Sequence, residues 1–287
     1  MDLLIQALVQ GVLVGSTYAV IALGMGLIFS VSGIINFAHG DLIVIAMFMC
    51  LSAFTALKVD PYLALAVTVP AMVVLAAALY RFLLRRMIGR PFLITVQLTL
   101  GLSFMIQSLL LMFYGGEPQR VPSLIEAQIW LVGDIVFEGK LVVAFAVSVV
   151  LSVLLFWMLN YTDFGRSVRA IRQNAKAAAL MGINVERARL KTFMLGIGVL
   201  ALAGSLLVPG MSIQPTAGLH LTVITLLAVV LGGMSNFAGI LIGGIVIGIA
   251  EAFGSIYVSG TLGLIFPYLI FVAILLFRPA GILGRSQ

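Results

Sequence analysis

Residues Leu221–Val258 read LTVITLLAVVLGGMSNFAGILIGGIVIGIAEAFGSIYV, 38 residues in which Glu251 is the single charge. Crossing a hydrocarbon core about 30 Å thick takes about 20 apolar residues. The run is therefore too long for one crossing and too apolar for a soluble helix. Gly232-Gly233-Met234-Ser235-Asn236 interrupts it, and Gly and Asn are residues that end helices. Two membrane segments result. The first, Leu221–Leu231, is short enough to be a half-helix that reaches only the middle of the membrane.

The rest of the chain follows the same grammar. Apolar residues make up 62% of the 287 and charged residues 9%, with a mean hydropathy of +1.23. A soluble domain carries about 25% charged residues to coat its surface, so the solvent of this chain is lipid. Further apolar runs are Leu4–Phe29, Leu42–Leu57, Tyr62–Tyr80, Phe92–Tyr114, Leu141–Leu159, Thr192–Pro209 and Leu262–Phe277. Leu42–Leu57 is marginal in length for a span. The fold class expected is all-α, a polytopic transmembrane helical bundle of eight or nine membrane segments forming one domain over residues 1–287. With Asp2 and no basic flank before it, the first run is expected to be a retained span rather than a cleaved signal.

Charge supplies the orientation. Thirteen of the 16 Lys and Arg fall in Arg81–Arg90, Arg166–Lys191 and Arg278–Arg285. Basic residues gather on the cytoplasmic side of membrane proteins, so the net charge of +6 is an orientation signal and not a nucleic-acid patch. Two runs lie between the first two basic stretches and four segments between the last two, which makes the parity consistent. The expectation is nine segments, N-terminus outside, C-terminus inside, with loop 160–191 cytoplasmic and loop 115–140 extracytoplasmic. Alternation around Gly133-Asp134 in the outer loop is compatible with a small hairpin.

Residues able to carry chemistry are few. His39 and His220 stand far apart in sequence, and Cys50 is the only cysteine, so no catalytic constellation, metal site or internal disulfide is expected. No cofactor is implied. The only Gly-Lys pair, Gly139-Lys140, lacks the Gly and Ser/Thr of a Walker A loop, so ATP is not hydrolysed here by that route. The densest polar cluster near the membrane is Asn36-Phe37-Ala38-His39-Gly40-Asp41, where Asp41 is expected to cap the helix beginning at Leu42. Gly33-x-x-Asn36-Phe37-Ala38 and Gly233-x-x-Asn236-Phe237-Ala238 share a pattern across 200 residues. Paired interruptions of this kind point to a transport site between repeats, although the abundance of Gly, Phe and Ala leaves coincidence open. Glu251 falls on the helical face of Gly244 and Gly248, a small-residue face that packs against protein. Asn36, His39, Asp41, Asn236 and Glu251 are thus the candidates for the translocation path or its surroundings.

Loop 160–191 is the richest soluble piece. Arg166, Arg169, Arg172 and Lys176 recur at helical steps, with Val168, Ile171 and Ala175 opposite. Asn174 is suited to cap a short helix running through Leu180 and Met181, and Gly182 to end it in the left-handed conformation. Such a stiff cytoplasmic helix suits a contact with a partner protein, with Ala177 and Ala178 small enough for close approach.

Tyr18, Ala22-Leu23-Gly24, the string Gly33-x-Ile35-Asn36-Phe37-Ala38-His39-Gly40-Asp41, Gly89-Arg90-Pro91, Arg169-Ala170, Ala177-Ala178-x-Leu180-Met181-Gly182-Ile183-Asn184-Val185 and the ending Phe277-Arg278-Pro279-x-Gly281 resemble, in order, the branched-chain amino acid ABC permease family. The resemblance implies an importer of two permeases, identical or paralogous, with two cytoplasmic ABC ATPase subunits and an extracytoplasmic solute-binding protein. It also implies a coupling role for Asn174, Ala177, Ala178, Leu180, Met181, Gly182, Ile183 and Asn184. Lys176 stands where the general coupling motif has Glu, so a salt bridge at that position does not carry over. Members of the family also move urea, short amides and aromatic acids. An ion-coupled secondary transporter would need carboxylates in several spans, and Glu251 is nearly alone. A membrane-embedded enzyme would need reactive groups at one depth, and the sequence shows none.

Overall fold

Uninterrupted apolar stretches become helices because every backbone N–H and C=O in lipid must be paired within its own segment. A computed structural model of the chain describes residues 2–123, 128–132, 135–234, 236–258, 263 and 265–284. In order, α1 is Asp2–Ser32, α2 His39–Leu57 and α3 Pro61–Leu79, which continues through a π-helical turn Tyr80–Leu84 into the short α4, Arg85–Met87. Then come α5 Phe92–Tyr114, strands β1 Ile129–Val132 and β2 Ile135–Glu138, α6 Gly139–Tyr161 and α7 Asp163–Leu180. The chain closes with α8 Val185–Leu207, α9 Ala217–Gly232, α10 Phe237–Tyr257 and α11 Phe266–Phe277. Among the described residues seven helices are long and apolar enough to cross a membrane, and α9 and α11 are shorter apolar helices. This is a polytopic helical membrane protein.

Helix α1 is the hub. It packs on α10, α8, α6 and α9, and glycines set how closely. A Cβ on Gly248 would lie 2.2 Å from the Gly15 Cα, and one on Gly244 would lie 2.3 Å from the Ala19 Cα. The Gly11-x-x-x-Gly15 and Gly244-x-x-x-Gly248 patterns therefore meet each other across the α1–α10 contact, as small-residue faces do in lipid. Gly239 and Gly243 point the other way, onto the carbonyls of Gly232 and Ala228 in α9. Helix α10 is held between α1 and α9 by two glycine faces of one helix. Helices α3, α5 and α6 form the more exposed periphery.

Local contacts define two ends of the bundle. At one, Arg85 Nε pairs with Glu186 Oε1 at 2.9 Å, Arg189 Nε donates to the Val31 carbonyl at 3.0 Å, and the Ile282 N–H donates to the Leu231 carbonyl at 2.7 Å. That end gathers the three basic stretches. At the other, Gln6 bonds the backbone of Val136, Ser123 Oγ donates to Asp60 at 3.0 Å, and Gln119 bridges Ile213. The β1–β2 hairpin pairs Ile129 with Glu138 through Val132 with Ile135, as the alternation suggested; its tip, Gly133-Asp134, lies outside the described residues.

Two segment boundaries differ from the hydropathy reading. The short run Leu221–Leu231 belongs to a helix that starts at Ala217. Pro215 and Thr216 lead into it, and small or polar residues (Gly218, His220) hide its first turn from an apolar count. Helix α2 starts at His39 rather than Leu42, because the Asn36 turn begins it early: the His39 N–H donates to the Asn36 carbonyl at 3.2 Å.

Candidate translocation site

The geometry begins with where α2 starts. His39 Nε2 lies 3.3 Å from the carbonyl of Ile21, eleven residues before α1 ends at Ser32. At 1.5 Å per residue the segment 33–38 thus returns the chain about 16 Å along α1 before α2 begins. The first turn of α9 meets it at the same level. Gly40 N donates to Thr222 Oγ1 at 2.8 Å, and that hydroxyl lies 2.9 Å from the Gly218 carbonyl and 3.1 Å from that of Phe37. From this crossing α2 runs toward the hairpin end and α9 toward the basic end.

The crossing has no spare room. A Cβ on Gly40 would stand 1.9 Å from the Gly218 carbonyl oxygen, and one on Gly218 would stand 2.0 Å from Asp41 Oδ1. Asp41 is not the cap expected of it. The helix begins earlier, so Asp41 sits in the first turn and reaches sideways, where its Oδ1 accepts from Gln107 Nε2 at 3.0 Å. Gln107 lies 3.3 Å from Ser103 Oγ. His39 and Asp41 are both 0% exposed, and His39 Nδ1 and Asp41 Oδ2 have no hydrogen-bond partner among the described residues. Buried polar atoms are nearly always paired, so this is a site of unspent polar capacity.

A second polar group lies across α9. The Glu251 carboxyl on α10 lies beside the Tyr18 hydroxyl of α1. Its Oε2 has no hydrogen-bond partner among the described residues. Glu251 faces protein, as its glycine neighbours imply. The start of α9 holds the first of these groups: Gly218 packs on Asp41, and Thr222 binds α2.

The two Asn turns share local structure. Gly33 and Gly233 have φ of +67° and +92°, and Asn36 Oδ1 and Asn236 Oδ1 each accept from the N–H two residues on, both at 3.1 Å. Asn236 Nδ2 also holds the Leu283 carbonyl of the C-terminal tail at 3.1 Å. The amide of each Asn is thus engaged in building its turn. Asn36 is buried near His39, whereas Asn236 lies at the basic end.

The α7 tip forms as its sequence indicates. Asn174 leaves helical geometry (φ −159°, ψ 105°), and its Oδ1 accepts from the N–H groups of Lys176 and Ala177 at 3.0 Å each. Gly182 has φ +83°, and the Ile183 N–H donates to the Ala178 carbonyl at 3.1 Å, a Schellman closure. Asn184 then caps α8 through the Arg187 N–H at 2.9 Å. One expectation changes. Ala178 is 4% exposed, while Leu180 and Met181 are 88% and 83% exposed. The open residues of the tip are therefore Ala177, Leu180 and Met181, not Ala178.

A profile described as the permease component of branched-chain amino acid transport systems matches residues 7–275. The chain belongs to that family. It is 33% identical over 298 aligned residues to the high-affinity branched-chain amino acid transport permease LivH of Escherichia coli, covering 99% of this chain and 96% of LivH. The permease BraD of Pseudomonas aeruginosa is 30% identical with the same coverage, and a probable LivH of Methanocaldococcus jannaschii is 28% identical over 99% of this chain and 94% of its own. No solved structure matches. Membership makes this chain a permease subunit, in a family whose members are not themselves enzymes. Ser103, Gln107 and Thr222 escaped the sequence reading because each is an uncharged polar residue scattered through an apolar helix. For Ser103 and Gln107 the signal was the four-residue spacing of Thr95, Thr99, Ser103 and Gln107 along α5.

Proposed function

We propose that this permease forms the membrane path of a bacterial ABC importer for branched-chain amino acids, driven by ATP hydrolysis on separate cytoplasmic subunits and fed by an extracytoplasmic binding protein. The observation that carries it is full-length similarity to LivH and BraD. Solute passes beside the α2–α9 crossing, where His39, Asp41, Gln107 and Thr222 concentrate polar groups within an apolar bundle. Two helix starts meeting inside a bundle supply the backbone N–H groups and dipole ends that transporters direct at charged solutes. The basic end faces the cytoplasm, which is supported by the gathering there of Arg85, Arg189 and the C-terminal tail. Nine segments then carry the chain from an outside N-terminus to an inside C-terminus. The exposed Leu180-Met181 tip docks on an ATPase subunit, and a second permease, identical or paralogous, completes the path.

Uptake of radiolabelled leucine in a strain lacking its own branched-chain importers, with and without this permease and its cognate subunits, tests the substrate. Competition by valine and isoleucine but not by urea or acetamide is expected; competition by urea alone would assign the solute to the amide branch. A lone cysteine at Gln119 in a Cys50→Ser background tests orientation. It should react with impermeant reagent added outside, and labelling only from the cytoplasm would reverse the assignment.

A further inference from the structure

Resting on the reading that two permeases complete one path, we infer that strand β1 pairs antiparallel with β1 of a second copy of this chain. Two hairpins then join into one four-stranded sheet. The ladder sets which backbone groups are free to do so. The Gly139 N–H donates to the Gln128 carbonyl at 2.8 Å, and the register pairs Ile129 with Glu138. Hydrogen-bonded and non-hydrogen-bonded pairs alternate along an antiparallel ladder. Trp130 and Val132 therefore turn their N–H and C=O groups toward β2, whereas Ile129 and Leu131 turn theirs away from it. Val136 faces outward on the other edge by the same alternation. There the Gln6 side chain stands in for a third strand: its Oε1 accepts from the Val136 N–H at 2.9 Å, and its Nε2 donates to the Val136 carbonyl at 3.0 Å. That edge is closed, and β2 packs on α1 and α6. Strand β1 packs mainly on β2 alone. The outward groups of Ile129 and Leu131 have no partner among the described residues.

Neither water nor lipid completes this open edge. Ile129 and Leu131 are 62% and 71% exposed, and Trp130 is exposed beside them. Edges that stay in water are guarded by charge or Pro against pairing, and Ile129–Val132 contains neither. Lipid leaves unpaired N–H and C=O groups unsatisfied. Another strand answers both the backbone and the apolar side chains. A solute-binding protein comes and goes with each cycle, whereas a permanently apolar edge calls for a permanent partner. Symmetry selects a second copy. The two outward residues flank Trp130, so a two-fold axis through Trp130 sets Ile129 of each copy opposite Leu131 of the other in hydrogen-bonded pairs. The two Trp130 residues then meet as a non-hydrogen-bonded pair, the closer kind, with Cα atoms about 4.5 Å apart. Aromatic pairs at such positions stabilise a sheet.

Cross-linking tests the pairing without reading transport. Two copies carrying different affinity tags are co-expressed with their partner subunits in a Cys50→Ser background, and the membranes are oxidised with copper phenanthroline. Trp130→Cys should give a disulfide-linked dimer as the main species on a non-reducing gel. Ile129→Cys or Leu131→Cys alone should not, because like residues there stand about 8 Å apart at Cα, beyond the reach of about 7 Å that a disulfide has. Adding Leu131→Pro to Trp130→Cys removes one outward N–H and spares the ladder to β2; the dimer should fall to the level of those two controls. Co-purification of the two tags without a Trp130→Cys dimer would overturn the shared sheet while leaving a pair of identical permeases standing. Equal cross-linking at all three positions would mean random collision and would overturn it too. Absence of co-purification would rule out a second copy, and leucine uptake by the same membranes reads the importer function separately. Protection of Trp130→Cys from a thiol reagent by the purified binding protein, with no dimer, would reassign the edge to that protein.

Discussion

The α2–α9 crossing and the α7 tip both depend on glycine, for opposite reasons. At the crossing Gly40 and Gly218 are ordinary in backbone angle but leave no volume: a methyl group there would penetrate a carbonyl or a carboxylate. At the tip Gly182 stands in open space, with nothing within 4 Å of a Cβ, and is required only by its φ of +83°. The first is a packing constraint shared by several helices; the second is a conformational constraint felt by one exposed turn. In the function proposed above, the polar cluster locked between helices meets solute and the stiff exposed corner meets another protein.

Substituting the glycines separates the two regimes most sharply. Gly218→Ala places a carbon 2.0 Å from Asp41 Oδ1. Overpacking typically costs about 1–3 kcal/mol, occasionally more, and here both α2 and α9 must move. The expected outcome is loss of most monodisperse protein on size-exclusion chromatography and a lowered melting temperature. Intact yield and stability would show that the crossing is looser than its geometry. Removing the carboxylate acts next. Asp41→Ala takes from the Gln107 amide one of its two acceptors, leaving only Ser103 Oγ, and an unsatisfied buried group costs about 1–3 kcal/mol. Asp41→Asn keeps the shape and should fold while taking up leucine more slowly; normal uptake in a stably folded Asp41→Asn would remove this carboxyl from the path.

At the tip, Gly182→Val forces a β-branched residue into a left-handed backbone, a penalty of about 1–2 kcal/mol confined to one turn. Melting of the permease should barely change, and ATPase association in a pull-down should fall severalfold. Association at the wild-type level would leave the tip without a docking role. Arg85→Ala should do least. Its partner Glu186 and Arg85 itself are both about half exposed, and such pairs contribute about 0.2–1 kcal/mol. A thermal scan should detect a shift near the limit of the measurement, and a large drop would mean that the pair fixes the two basic loops together.

The same contrast explains what the sequence made legible. Hydropathy located the long helices because lipid imposes one rule on every residue they contain, and Gly232–Asn236 marked the break between α9 and α10 for the same reason. The α7 tip was readable residue by residue, since Asn174 and Gly182 act through their own backbone neighbours. The crossing was not. His39 and Asp41 were visible as a polar cluster, but their contacts with Ile21, Gln107 and Gly218 join residues remote in the chain. The return of 33–38 along α1 leaves no trace in composition. Ala178 was assigned to the surface because its small size suits docking, and only its burial in the folded chain shows that it packs inward.

Division of labour between the crossing and the tip is tested most directly in proteoliposomes holding the permease, its ATPase subunits and the binding protein, with ATP hydrolysis and leucine uptake measured together. Met181→Asp, at the 83% exposed tip, should abolish ATPase association and uptake alike while the permease stays folded. Asp41→Asn should retain ATPase association and hydrolysis with uptake reduced. Wild-type uptake in Met181→Asp, or loss of ATPase association in Asp41→Asn, would contradict it.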